Sequence, residues 1–477
     1  MKRFKKIISL LLCAASLTAL VGCGSKKEGT EDIPTLTWYV VGDKQNDIAS
    51  VMEKVNEITV PEIGAKLNIE FIESGAFQQK MNMVMASGED FDLCFTGYTN
   101  VYSTAAENGG LLELDDLLKE TPKLVESIPE DVWESARYNG KIYAVPNQQI
   151  MSTTWAFEID KEYADKYNFD VDSVKKPEDL EPLLKAIKEN EPTKYAYRTN
   201  YGASPWVYDK YEVYSYYIGI DKETGEVVSL LETPEWKEGS RTLNKWYNEG
   251  YIRKDVASAG NDSSEYNARR YVVSNTSWKP GIEESSKLSK GYEIAYAKYT
   301  EPYKGLGYAQ STMIGIGKNS KNPEKALKFI ELINTNEELY NLICFGIEGK
   351  HYYLDENKQV EYIDNSGYAP KADWKFGNQF NAYTLKGQPE DVWEQTEKLN
   401  EEGKVTPYNG LSIDKTEFLK IYNEIDSANA QAKNTMTCSP ADFDKNFDEN
   451  IKALKDAGLD KLVENFKSQV AEWKKSK

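Results

Sequence analysis

Two alternating apolar periods between Leu36 and Thr96 restrict the fold of this chain more than any other feature. Leu36–Val41 (LTWYVV) reads as a buried strand closed by Gly42. Asn46 or Asp47 suits the cap of a helix whose apolar positions Ile48, Val51, Met52, Val55 and Ile58 are spaced three and four apart. Leu67–Ile72 alternates as a second strand. Phe77, Met81, Val84 and Met85 form another helical stripe that ends near Ser87-Gly88, and Phe91–Thr96 is a third strand. This β-α-β-α-β succession predicts a parallel sheet with right-handed crossovers. Ligands of such sheets lie beyond the carboxyl ends of the strands, which points to Gly42–Asp47 and Gly97–Asn100.

Further along, Tyr143–Pro146 (YAVP) reads as a short strand leaving this unit. The Tyr-rich stretch that follows contains a helical pattern over Thr233–Asn248 and the turn sequence Trp278-Lys279-Pro280-Gly281. Asp221–Glu226 and Asp355–Lys358 suit hairpin turns better than calcium loops. Thr312–Gly317 returns as a buried strand, and Asn322-Pro323-Glu324 opens a helix with Pro at its first position. A strand and helix returning after so long an excursion imply that a discontinuous segment completes the first lobe. From Lys415 onward the pattern is helical.

The N-terminus carries a different signal. Lys2, Arg3, Lys5 and Lys6 precede the apolar Ile7–Leu20 run, and Leu20-Val21-Gly22-Cys23 places a cysteine directly after small residues. This pattern predicts a signal peptide over 1–22 and a lipid-bearing Cys23. Gly24–Asp32 is polar and suits a tether, within a segment over 23–35.

Composition narrows the function classes. At 477 residues the chain exceeds one compact core. Its net charge is −19, or about −23 once the four signal cations are removed, which argues against nucleic acid as a partner. Past the signal, Cys94, Cys344 and Cys438 form no disulfide framework or zinc pattern, and buried thiols are expected. His351 is the only histidine, so a catalytic triad or a multi-histidine metal site lacks material. With 32 Tyr and 10 Trp, by contrast, the chain is rich in side chains that stack on sugar rings.

Taken together, LTWYVVGDKQNDIASVMEKVNE, MVMASGEDFDLCFTG, ENGGLLELDDLLKE with NGKIYAVP, and KNPEKALKFIELINTNEELYNLICFGIEGKHYY resemble the extracellular solute-binding proteins of the maltose-binding type. WKFGNQF, TPYNGLSIDKTEF and AGLDKLVENFKSQVAEW extend the resemblance to the large Gram-positive lipoproteins with an added C-terminal region. What it implies is a type II periplasmic-binding-protein-like α/β clamp of two discontinuous lobes. It implies a membrane permease with a cytoplasmic ATPase as partner and no bound metal; a monomer without cofactor, anchored on the extracytoplasmic face through Cys23, is expected beside it. Lobe 1 is expected over 36–150 plus about 309–350, and lobe 2 over about 151–308 plus 351–477 with a C-terminal helical extension.

The expected role is capture of a carbohydrate, without catalysis. Candidate contacts are Gln45, Asp47 and Tyr98 on the first lobe, and Trp206, Trp278, Lys279, Trp374, Asn378 and Gln379 on the second. Aromatic and amide groups sit there together in Gly- or Pro-flanked segments, although each position also suits capping or packing. Phe376 reads as core and His351 as a structural histidine. A peptide or other polar solute suits the same clamp. A surface glycoside hydrolase would need a pair of carboxylates across the scissile bond, and no local pattern nominates one.

Overall fold

A computed structural model describes residues 33–98, 101–200, 202–258, 262–429, 438–440 and 442–477; Cys23 and the tether lie outside them. Residues Pro34–Lys477 form one compact unit whose two largest sheets have five and four strands. The first sheet has the order Lys66–Ile72, Thr35–Val41, Leu93–Gly97, Thr312–Ile316, Ala144–Pro146. Its first three strands are parallel and are linked by helices Ile48–Ile63 and Ser74–Ser87, as the two periods predict. The returning strand Thr312–Ile316 is inserted antiparallel between Leu93–Gly97 and Ala144–Pro146. At Gly97 a Cβ would meet the Ser311 carbonyl oxygen at 2.1 Å, so only glycine lets these strand ends approach.

Each face of this sheet carries its own core. On one, Trp38 meets Phe329 and Phe376 edge-on at 5.5 and 5.7 Å. On the other, Phe77, Phe95, Tyr102 and Met313 pack together. The second sheet has the order Ile294–Lys298, Thr154–Asp160, Tyr271–Trp278, Tyr195–Tyr197. Its core takes in helix Pro234–Glu249, which Thr233 caps by accepting from the Trp236 N–H.

The late segments divide differently from the sequence expectation. Tyr352, Val360, Tyr368 and Phe376 bury into the first core, so the stretch from 351 to about 385 belongs with the first sheet, not the second. Only from Tyr408 onward does the chain join the second core, through helices Lys415–Asn429, Phe443–Asp456 and Leu459–Ser476. The reason is the hairpin Tyr352–Leu354/Val360–Tyr362, whose apolar side chains cover helix Glu337–Phe345. The Asp221–Glu226 turn also closes a hairpin, between Ile218–Asp221 and Val227–Ser229. Cys94, Cys344 and Cys438 are all buried, as expected.

Candidate functional site

The chain passes between the sheets three times, and the passages join into a ribbon. Thr153 bridges to Tyr303, and Tyr303–Lys304 pairs in parallel with Lys404–Val405. Helix Val392–Glu402 pins the first passage: Asn400 Oδ1 accepts from the Met151 and Ser152 N–H groups at 2.7 and 3.1 Å, and its Nδ2 donates to the Gln149 carbonyl.

Successive side chains of a strand point to opposite faces, and Tyr303 and Lys304 do so. The Tyr303 hydroxyl donates to Glu212 Oε2, which also accepts from Thr406 Oγ1, while Glu212 Oε1 accepts from the Leu306 N–H. Both oxygens of this buried carboxylate are engaged, and its burial pushes the carboxyl pKa up despite those bonds. A cavity of about 260 Å³ on this face is lined by Trp155, Tyr208, Glu212 and Lys222. Trp155 and Tyr208 stack there with centroids 4.0 Å apart. The Lys222 ammonium donates to the Tyr208 carbonyl and is pushed down to about 8 by burial.

On the opposite face Lys304 Nζ pairs with Asp131 Oδ2 at 2.9 Å, and the Tyr308 hydroxyl donates to the same oxygen. Burial alone would raise the Asp131 carboxyl, but these two donors outweigh it and hold it below its ordinary value. A larger cavity of about 470 Å³ opens here, lined in part by Gln148, Gln149, Met151, Lys304, Phe380 and Glu397. Its size falls within the roughly 300–1,000 Å³ of small-molecule sites.

Each sheet has an end that adjoins the ribbon. On the first, Tyr98 follows the Gly97–Thr312 pair, is 54% exposed, and lies 5.8 Å from Trp374 between ring centroids. Both rings rest on Phe95. On the second, Trp278 pairs with Thr154, the first residue of its strand, and lies half-buried with Lys298 Nζ 4.0 Å above its ring. Its indole N–H donates to Glu283 at 3.0 Å. Lys279 beside it is exposed.

Four other residues singled out in the sequence are spent internally. Gln45 donates to the Asp43 carbonyl and accepts from the Ala369 N–H, both at 2.8 Å. Asp47 stands at the N-cap of its helix, but its side chain makes no cap bond; it binds Lys350, the Nε2 of fully buried His351, and Ser50. Those bonds hold its carboxyl well below the usual range. Asn378 caps the Phe380 N–H, and Gln379 donates to Asp373 Oδ2 at 2.9 Å. Trp206, placed in the sequence among cleft candidates, packs in the second core instead: its indole N–H donates to Glu178 and its ring lies 2.7 Å from where a Cβ on Gly239 would be. The proline beside it marks a 3-10 turn over Ser204–Trp206, which folds the ring inward.

Sequence reasoning missed Gln148, Trp155, Tyr208 and Lys304. The polar run Asn147-Gln148-Gln149 directly after a strand was the available signal for the first. For Trp155 and Lys304 nothing local distinguishes them from ordinary strand residues.

The family profile described as "Bacterial extracellular solute-binding protein" matches residues 49–339. The chain belongs to this family. This solute-binding protein is 30% identical, over the full length of both chains, to a "Carbohydrate ABC transporter substrate-binding protein" of Streptococcus pneumoniae serotype 4. It is similar to the crystal structure of the N-glycan transport solute-binding protein NgtS from Streptococcus pneumoniae, at 28% identity and a TM-score of 0.80, covering 92% of this chain and 98% of that one. The same relative in complex with Man1GlcNAc or Man5GlcNAc gives TM-scores of 0.69 and 0.66.

Proposed function

We propose that this solute-binding protein captures an oligosaccharide between its two lobes and delivers it to the membrane permease of an ABC importer, without altering it. The observation that carries this reading is the aromatic rim at the ribbon end of each sheet, Tyr98 with Trp374 on one and Trp278 on the other. Such rings offer an apolar face to the C–H face of a sugar while nearby amides and hydroxyls bind its oxygens. The similarity to a carbohydrate-transporter relative and to NgtS supports the ligand class. The lower TM-scores against the glycan complexes support two lobes that change their relation on binding, in the manner of a population shift. In this reading the moving bodies are 36–150 with 309 to about 385, and 151–308 with the chain from about 408.

Calorimetric titration with mannose–N-acetylglucosamine oligosaccharides and with peptides of similar mass tests the reading. Saccharide binding with the ligand recovered intact is expected. Peptide binding alone, or turnover abolished by a single carboxylate substitution, would move the chain to another class. Cys23 as the lipid-bearing residue completes the proposal: C23A should be shed to the medium or held as precursor, and a processed, membrane-bound C23A would remove the anchor.

A further inference from the structure

The larger cavity holds a side chain whose hydrogen-bonding capacity is unused. Gln148 is only 7% exposed, and its backbone is clamped on both sides, N–H to the Gly377 carbonyl and carbonyl to the Gln379 N–H. Its side-chain Nε2 is shielded from solvent and has no hydrogen-bond partner among the described residues. A buried amide left so costs stability, on the order of 1–3 kcal/mol, unless a ligand uses it. Oxygen and nitrogen of the amide interchange by a half-turn, so it can present either an acceptor or a donor to the cavity.

The remaining lining says what the partner is. The charge of Lys304 is matched by Asp131, and its ammonium keeps further N–H donors beyond that pair. Phe380, Met151 and Val405 supply apolar surface. Glu397 and Glu401, exposed and one turn apart on helix Val392–Glu402, supply acceptors and negative charge, with no ion-pair partner among the described residues. Burial and repulsion from Glu394 and Glu401 push the Glu397 carboxyl up, as expected where negative charge is in excess. A group that both donates and accepts, carries an apolar face and bears no charge satisfies all of these walls.

We infer that this cavity is an end subsite for a neutral, polyhydroxylated sugar residue, with Gln148 as its specificity-determining contact and Glu397 and Glu401 excluding uronic and other acidic sugars. The inference rests on the saccharide-binding reading above and narrows it to neutral glycans. A carboxylate-bearing residue would meet Glu397 and Glu401 with the Lys304 charge already spent on Asp131.

Calorimetric titration of the full-length chain with Man1GlcNAc and with trigalacturonate tests it, on the wild type, Q148A and the double variant E397Q/E401Q. Wild type should bind the neutral disaccharide and reject trigalacturonate. Q148A should bind Man1GlcNAc at least about tenfold more weakly, the loss of roughly one hydrogen bond, with its thermal transition retained. E397Q/E401Q, altered only on an exposed helix face, should gain trigalacturonate binding with its thermal transition retained. Unchanged affinity in Q148A overturns the subsite. If Q148A does not fold, the double variant decides, and its continued rejection of trigalacturonate overturns the exclusion. Preference of the wild type for trigalacturonate overturns the inference while leaving saccharide capture intact. Absence of binding to either saccharide, with binding to peptides, overturns the proposed function first and this inference with it.

Discussion

The two faces of the crossover ribbon differ in how completely their polar groups are used. On the Tyr303 face, Glu212 accepts from Tyr303, Thr406 and the Leu306 N–H, drawing two crossover passages onto the second lobe. On the Lys304 face, Asp131 binds Lys304 and Tyr308, while the Nε2 of Gln148, which lines the same cavity, has no hydrogen-bond partner among the described residues. A saturated buried network positions the chain; an unsaturated one beside a cavity has capacity left for a ligand. The same contrast separates two loop tryptophans. Trp206 spends its indole N–H on Glu178 and its ring on the core, whereas Trp374 sits beside the exposed Tyr98 at a sheet end.

The largest effect should follow from breaking the saturated side. Trp206→Ala should cost about 3–5 kcal/mol of unfolding free energy in a denaturant titration, as core aromatic truncations do, and leave ligand affinity per folded molecule unchanged. A milder loss with weakened binding would place Trp206 in the site after all. E212A should cost about 3 kcal/mol, because two hydroxyls and an N–H lose their acceptor in a buried place. K304A, on the other face, should cost less, since Asp131 is one-third exposed and keeps Tyr308. Equal losses from the two variants would erase the distinction between the faces.

On the open side the effect should appear in affinity instead. Trp374→Ala or Trp278→Ala should weaken saccharide binding by about 1–3 kcal/mol with the thermal transition retained, in line with aromatic burial and stacking. Collapse of that transition without ligand would show that the rings serve packing.

The smallest effect is in pH, and its sign differs between the faces. Glu212 has a raised folded pKa, so its contribution to stability is present below about 4.3, the ordinary Glu value, and is lost as pH rises through the folded value. The stability gap between wild type and E212Q should therefore widen in the wild type's favour on acidification from pH 7 to 4. Asp131 has a lowered pKa, so its contribution is present above about 3.9 and fades as pH falls through the folded value. The gap between wild type and D131N should narrow below pH 4. Parallel slopes in chemical denaturation for the two variants would contradict the assignment of these networks.

The strands and helices of the first sheet were legible in the sequence because their apolar periods are local. Leu36–Val41, Leu67–Ile72 and Thr312–Gly317 differ from the observed strands by a residue at their ends, and the discontinuous return followed from the same pattern. Phe376 was recognisable as core and His351 as a structural histidine, both now fully buried. The candidate site was far less legible. Tyr98 and Trp374 are 276 positions apart and meet only through the fold, whereas Asp47 and Gln45, near them in loop logic, are consumed by His351 and Ala369.

By itself the sequence determined the alternating first lobe, the lack of material for histidine chemistry, and the family, because periodicity, composition and order along the chain carry that information. Only the tertiary structure decided that the stretch from 351 to about 385 joins the first core, that Trp206 turns inward, and that Lys304 and Tyr303 look into different cavities. Those outcomes depend on which distant groups saturate a given donor, acceptor or ring, and partners separated by up to hundreds of residues leave no local mark.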